Sequence, residues 1–423
     1  MPKNAVSVFV SGILSGDIAH SDVDEDGFLF TYVRGCPANH AVSLTMPVTR
    51  DPYDSMGTLL PIFEMNLPEG ALREKLERMF SKAVPNFDAL SMLQIVGKSQ
   101  IGRLRYAQSG VKLEAVPTQN VSDLLTYAGT EDLFADLLNR FAEYSGISGM
   151  QPKVLIRDER GAALDRFTDR GATHIVKSFD PREYPELAAN EYFCMQASRH
   201  AGLSTASVQL SANRKMLVVE RFDLADGKYS GFEDFCVLNG VRAEGRYDSS
   251  YEELAKRIRQ FVSPNHHANA MSQYFGAVVL ACAIKNGDAH LKNFGVLYGE
   301  PGDDVRLAPV YDMLSTQPYK PHDVLALTLN GTKKYPSHQE LLQFGRHTCG
   351  LSKAGVDAVV DQVRDGVRQA VTDMQAYTQE HPDFELTMKY LARIFEEGIR
   401  TRRTSPATRP EHFTPPVNSN DKS

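Results

Sequence analysis

Asp288, Asn293 and Asp312 are the residues of this chain whose types and order best suit a chemical task. The first two share the stretch Asn286-Gly287-Asp288-Ala289-His290-Leu291-Lys292-Asn293, and the third ends Pro309-Val310-Tyr311-Asp312. A carboxylate, then an amide, then a second carboxylate fits phosphoryl transfer. Asp288 would orient an attacking hydroxyl and accept its proton. The Asn293 amide oxygen and the Asp312 carboxylate would hold Mg2+ against the phosphates of ATP. Lys292 would neutralise the transferring phosphoryl group, and His290 would border the nucleotide or brace the loop. The same residue types also build plain polar turns and helix caps, so the loop acquires meaning only from its partners upstream.

Those partners have kinase-like types. Lys177 ends the strand-like run Thr173-His174-Ile175-Val176-Lys177, and Glu191 lies on the helix expected next. In protein kinases a strand lysine meets the nucleotide phosphates and pairs with a helix glutamate. The plain alternative is a solvated lysine and a surface glutamate. Residues 145–153, rich in Gly and Ser, suit a loop whose backbone N–H groups cover phosphate. They fit neither the Walker A pattern nor G-x-G-x-x-G, and a simple turn is the competing reading. Val219-Glu220-Arg221-Phe222-Asp223 stands where two lobes would join. An extended hinge there would offer Glu220 and Phe222 to an adenine ring, whereas the bland reading is a strand and its turn. His266-His267 lacks a metal-site context, and no G-x-S-x-G elbow anchors a hydrolase.

The elements that must position these groups follow from periodicity and breakers. Strands are expected over residues 7–10, 28–33, 41–46, 154–156, 173–177 and 216–219. Helices are expected over 71–80, 185–201, 250–261, 268–285, 339–344, 353–378 and 384–400. Residues 95–104 read as the end of a first unit, and 118–143 as a connector that turns helical. The apolar run at 277–284 is far too short to cross a bilayer and reads as a buried helix leading into the Asp288 loop. This gives an α+β, bilobal arrangement. It divides into an N-terminal subdomain over 1–108, an N-lobe over 109–222, a helical C-lobe over 223–401 and a disordered tail over 402–423.

Composition agrees. At 423 residues the chain is too long for one ordinary core. Hydrophobic residues at 42% and charged residues at 23% indicate a globular protein, and a net charge of −7 gives no global pull toward nucleic acid or anionic membrane. The cysteines, Cys36, Cys194, Cys236, Cys282 and Cys349, are scattered without a C-x-x-C pair. That spacing argues against a zinc site or a disulfide framework and fits a reducing, cytoplasmic setting. Each is expected to be a small buried apolar residue. The apolar stretch at 5–14 is expected to be a strand rather than a signal peptide.

Taken together, these stretches resemble the HipA family of bacterial toxin serine/threonine kinases. Leu59-Leu60-Pro61-Ile62-Phe63 through Asn66-Leu67-Pro68-Glu69-Gly70 resembles the family's N-terminal subdomain. Gly149-Met150-Gln151-Pro152-Lys153 resembles its ATP-loop, commonly G-x-Q-x-K. The Lys177 strand, the Glu220 hinge, the Asp288 loop and the Asp312 segment follow in the family's order. The resemblance implies a bilobal kinase-like fold and ATP and Mg2+ as cofactors. It implies Asp288 as base and Asn293 and Asp312 as metal ligands. Ser148, Gly149, Met150, Gln151, Lys153, Lys177, Glu220, Phe222 and His290 would surround the nucleotide. It also implies a protein substrate, an aminoacyl-tRNA synthetase, whose phosphorylation halts translation. The implied partner is a helix-turn-helix antitoxin, HipB-like, that carries the pair to operator DNA; no membrane is implied.

One departure concerns regulation. Family members are often silenced by autophosphorylation of a serine just before the ATP-loop, and that position falls on Gly146 here. Ser145 and Ser148 flank it as alternative acceptors, with Ser148, closest to the glycine turn, preferred. Two other readings share the scaffold: a small-molecule phosphotransferase, and a non-catalytic corepressor acting through a DNA-binding partner.

Overall fold

The computed structural model describes residues 5–21, 27–81, 84, 86–111, 116–127, 133–148, 151, 153–159 and 171–400. The expected tail at 402–423 lies outside them. The chain is α+β. An N-terminal antiparallel sheet has the order β4-β3-β2-β1-β5, from β1 (Val6–Val10), β2 (Ile13–His20), β3 (Phe28–Tyr32), β4 (Tyr53–Ser55) and β5 (Leu104–Gln108). β1 turns into β2 through Ser11 and Gly12, both at positive φ (49° and 80°). That is the two-residue turn whose twist matches antiparallel strands. The apolar stretch at 5–14, expected as one strand, is thus divided: Ser11 and Gly12 make the turn, and Ile13 and Leu14 open β2. Residues 41–46, expected as a strand, form a loop instead. Its backbone is drawn to side chains: Val42 N donates to the Tyr32 hydroxyl at 2.9 Å, and Leu44 N to Glu233 Oε1 at 2.8 Å. Ile95 and Val96, expected near the unit's end, belong to a helix, Ala89–Val96, capped by Asp88 accepting from Ser91 N at 2.8 Å.

A second sheet carries the lysines. Its order is β6-β7-β8-β10-β9, from β6 (Thr118–Gln119), β7 (Lys153–Asp158), β8 (His174–Ser178), β9 (Val208–Leu210) and β10 (Met216–Glu220). The register pairs Lys153 with Lys177 across β7 and β8, and Lys177 with Leu217 across β8 and β10. Side chains alternate between faces. Val154, Ile156, Val176, Met216 and Val218 therefore point down onto Leu124, Phe134, Leu137 and Phe141. Those last residues come from helices Val121–Thr126 and Leu133–Phe141, so the stretch expected as a connector supplies two helices that floor this sheet. The opposite face presents both lysines.

The rest is mostly helical. Helix Leu187–His200 follows the lysine strand and packs along the 28-residue helix Lys353–Glu380. Helix His267–Ala283 is buried nearly all round, as expected of a core helix. It ends where Lys285 takes a left-handed conformation (φ 59°) and releases the chain into the Asp288 loop. A three-stranded sheet of Gly231–Asp234, Gly295–Tyr298 and Arg306–Leu307 backs that loop within the helical lobe. The sequence pattern had suggested only helices there. Four cysteines are buried, Cys36 is half-buried, and all five are free thiols. Among the described residues no helix is long and apolar enough to cross a membrane.

Gly366 is the point of closest approach between the two long helices. A Cβ there would lie 2.5 Å from Ala201 N and 2.6 Å from Ala197 O. Backbone atoms cannot rotate aside, so Gly366→Ala is expected to destabilise the chain by about 1–3 kcal/mol, read as a lowered urea midpoint.

Candidate active site

A cavity of about 880 Å³ lies between the lysine sheet and the helical lobe, a size suited to a nucleotide-scale ligand. Asp288, Asn293 and Asp312 all line it, as do Lys153, Lys177, Lys292, His290, Ser148, Gln151, Glu220 and Phe222. The expected site residues thus converge wherever the structure describes them. Gly149 and Met150 lie outside the described residues.

The centre is the Lys177 ammonium. It donates to Glu191 Oε1 at 2.5 Å and to Asp312 Oδ1, and the Lys177 and Glu191 side chains are only 3% and 1% exposed. Burial alone would strip the lysine's proton, but the carboxylates of Asp312 and Glu191 outweigh it and raise its pKa. Asp312 responds in the opposite sense. Burial pushes its carboxyl up, yet Lys177 and Lys153 overcome that and hold it below the usual range. Glu191 sits deeper, and there burial wins and raises its pKa. Lys153, buried beside Lys177 on the neighbouring strand, is pushed down by burial, with Asp312 opposing. Two ammonium groups facing one another across a sheet are an unfavourable pair; a polyphosphate would relieve it.

Local structure brings these groups together. Asn190, one residue before Glu191, donates to Ser315 O at 2.8 Å and accepts from Ser315 N at 3.0 Å. This clips the helix to the segment following Asp312. Asp312 itself has a positive φ of 53°, an uncommon conformation for a residue with a side chain and one that clusters at functional sites. Its neighbour Tyr311 donates to Lys292 O at 2.7 Å, tying this segment to the Asp288 loop. Within the loop Asp288 N donates to Asn286 Oδ1 at 2.8 Å, and Asn293 Oδ1 accepts from His290 N at 3.3 Å. Gly287 is required here, since a Cβ would meet Asp323 Oδ2 at 2.2 Å and Val324 O at 2.6 Å.

The Asp288 carboxylate is 42% exposed and faces the cavity. Its Oδ1 accepts from the Tyr247 hydroxyl at 2.6 Å. Tyr247 also meets His290 edge-on, with centroids 4.9 Å apart. Burial lowers the His290 pKa, against the pull of Asp288, which keeps the imidazole neutral. His290 lies at the cavity wall against Tyr247. Lys292 donates to Glu69 Oε1 at 2.5 Å, and Arg246 to Glu69 Oε2 at 3.0 Å. At the other end Phe222 packs on Tyr311 and Phe232, with centroids 5.5 and 5.7 Å away, and Ile101, Ile175 and Val219 complete an apolar wall that suits a flat ring.

Ser145, one expected phosphate acceptor, is fully buried. Its hydroxyl donates to Phe141 O at 2.7 Å and accepts from Leu155 N at 2.8 Å, so it is a strut beneath the sheet. Gly146 has no room for a side chain, because a Cβ would come within 2.0 Å of the buried Gln100 amide. Ser148, the other expected acceptor, lines the cavity.

Among the described residues, no group of three or more His, Cys, Asp or Glu side chains is placed to hold a metal ion. One amide and one carboxylate remain a fitting set for Mg2+, which keeps phosphate and water oxygens as its other ligands. Glu69, Arg246 and Tyr247 were not foreseen. Glu69 lies 223 positions from Lys292, and no local pattern announces such a contact.

The chain's likenesses agree with this geometry. Residues 6–107 match the profile of the HipA N-terminal domain, and residues 145–371 that of the HipA-like C-terminal domain. A Sinorhizobium fredii protein named "Putative kinase Y4mE" is 29% identical over 342 residues, covering 75% of this chain and 79% of that protein. A Haemophilus influenzae protein named "Putative kinase" is 30% identical over 190 residues, covering 41% of this chain and 53% of that protein. The HipA of Shewanella oneidensis MR-1, solved with HipB and its operator DNA, has the same fold, with a TM-score of 0.67 at 17% identity over 93% of this chain and 96% of that one.

The Lys177 centre sets a pH dependence. The folded Asp312 carboxyl titrates below its unfolded value, near 3.9. Its contribution is fully present above that value and is lost as pH falls toward the lowered one. Urea midpoints measured from pH 6 to pH 3 should therefore fall less steeply for Asp312→Asn than for the wild-type chain.

Proposed function

Because the chain belongs to the HipA family, with both of that family's domains present, we propose that it is an ATP- and Mg2+-dependent serine/threonine protein kinase. The observation that carries this reading is the meeting of Asp288, Asn293 and Asp312 in one cavity with the buried Lys177–Glu191 pair. The kinase names of its relatives support it.

In this reading the adenine lies against Phe222 beside the Glu220 hinge. Ser148 through Lys153 covers the phosphates, and Lys177 and Lys153 meet them with positive charge. Bound Mg2+, held by Asn293 and Asp312, would neutralise phosphate charge. Asp288 orients the acceptor hydroxyl and takes its proton, while the Lys292 ammonium faces the charge on the transferring group. The Tyr247 hydroxyl occupies one Asp288 oxygen and leaves the other for the acceptor. No covalent enzyme intermediate is required; the rate comes from positioning and from charges set in advance.

The finer reading is the toxin of a toxin–antitoxin pair. Its partner would be a HipB-like helix-turn-helix antitoxin that brings the pair to operator DNA. Support comes from the Shewanella HipA, which was solved with such a partner and DNA. The substrate implied by the resemblance is an aminoacyl-tRNA synthetase, modified so that translation halts. Self-inhibition would act through Ser148: phosphorylation adds about two negative charges beside the nucleotide phosphates.

Three outcomes are expected. Asp288→Ala should abolish transfer from labelled ATP to protein in a cell lysate while retaining the wild-type melting temperature; transfer by that variant would remove Asp288 from its role. Chelation of divalent cations should stop transfer, and added Mg2+ should restore it. Phosphosite mapping after incubation with ATP should find phosphate on Ser148 in the wild-type chain and none in Asp288→Ala. Label found only on a small molecule would favour a metabolite phosphotransferase.

A further inference from the structure

Glu69 stands at the N-cap of helix Gly70–Phe80, a position where Ser, Thr, Asp or Asn would turn back to cap the helix. It makes no such cap. Its carboxylate points away and spends both oxygens on the other lobe. Oε1 accepts from Lys292 in the Asp288 loop at 2.5 Å, and Oε2 accepts from Arg246 at 3.0 Å. The side chains are 17%, 10% and 17% exposed for Glu69, Lys292 and Arg246. An exposed pair of this kind would contribute little, but a buried one depends strongly on geometry and binds its members in place.

We propose that Glu69 of the N-terminal unit is a positioning residue of the catalytic centre, holding the Lys292 ammonium in its working orientation at the wall of the cavity. The inference rests on the kinase reading above. A lysine is a point charge on a flexible four-carbon stem, and nothing in the loop's own backbone fixes where its end lies. Glu69 supplies that constraint. Asp234, a second carboxylate near Lys292, uses its Oδ1 to accept from Cys236 N and Val237 N, 2.8 and 3.0 Å away, as cap of its own short helix. Through Arg246 the same Glu69 carboxylate braces the segment bearing Tyr247, whose hydroxyl reaches Asp288. Both flanks of the proposed base are thereby tied to a residue outside the kinase-like lobes. Burial alone would raise the Glu69 pKa, but Lys292 and Arg246 together lower it, so the carboxylate is charged at neutral pH.

The test uses the full chain. Glu69→Gln keeps the shape and removes the charge. It is expected to lower kcat by about tenfold or more while changing KM for ATP by less than about twofold, since Lys153 and Lys177 are untouched. The double variant Glu69→Gln/Lys292→Met should lose less than the product of the two single losses, because Lys292→Met already removes part of what Glu69 does and leaves only its brace through Arg246 to be lost. An independent readout is the rate at which acetic anhydride acetylates each lysine, followed by mass spectrometry. Glu69→Gln should speed labelling of Lys292 several-fold and leave Lys153 and Lys177 unchanged. Unchanged labelling of Lys292, an unchanged or raised kcat, or additive losses in the double variant would overturn the proposal. A wild-type chain that transfers no phosphate would overturn the kinase reading, and the labelling would still decide whether Glu69 holds Lys292.

Discussion

A lysine ammonium buried out of water must be paired, and the Lys177 ammonium is paired twice. Its two carboxylates come from different parts of the chain: Glu191 from the next helix, and Asp312 from a loop 135 positions away. Removing one partner of a buried pair typically costs about 3–5 kcal/mol, because the other is left uncompensated. That cost holds the strand, the helix and the loop to one arrangement. The β7–β8 register, the Asn190–Ser315 clip and the left-handed backbone at Asp312 are all consistent with it. The price of this arrangement is two lysines side by side, a conflict that anionic ligand phosphates are suited to resolve.

The residues that meet in the cavity were legible because the sequence sets carboxylate, amide and carboxylate in the order that phosphoryl transfer would use. Asp288 and Asn293 are separated by a span that a single turn of irregular backbone can close, and Asp312 follows within the same lobe. Lys177 and Glu191 were readable for a similar reason, since one sits on a strand and the other on the helix directly after it. Long helices such as Lys353–Glu380 showed clear periodicity. These are features in which local pattern and final structure agree.

What escaped the sequence is non-local or conditional. The loop at 41–46 has strand-like residues, yet its amides are claimed by Tyr32 and by Glu233 from far along the chain. The sheet of Gly231–Asp234, Gly295–Tyr298 and Arg306–Leu307 joins short pieces that are separately ambiguous. Ser145 and Ser148 look equivalent in a Gly- and Ser-rich run. Only packing separates them, since one hydroxyl is locked between Phe141 and Leu155 while the other residue lines the cavity. Tyr247, in a 3-10 turn after a polar stretch, carries no motif that would assign it to Asp288.

The same distinction bears on how the N-terminal unit relates to the rest. Its core is centred on residues such as Val8, Phe30, Phe63 and Tyr106 and takes in Ala142 and Val237 from the rest of the chain, so by that measure it is nearly a separate body. Its polar contacts say otherwise. Gly102 N donates to buried Asp223 Oδ2 at 2.6 Å, and the Arg103 guanidinium donates to Gly299 O at 3.3 Å. Ser43 donates to buried Glu233 at 2.6 Å. A buried donor such as Gly102 N would be left unsatisfied, at a cost of about 1–3 kcal/mol, if the unit moved away without water to replace its partner. Apolar packing therefore lets each body fold, while buried hydrogen bonds and ion pairs fix how the bodies meet. Since one of those ion pairs ends on Lys292, the relative placement of the bodies is written directly into the candidate active site.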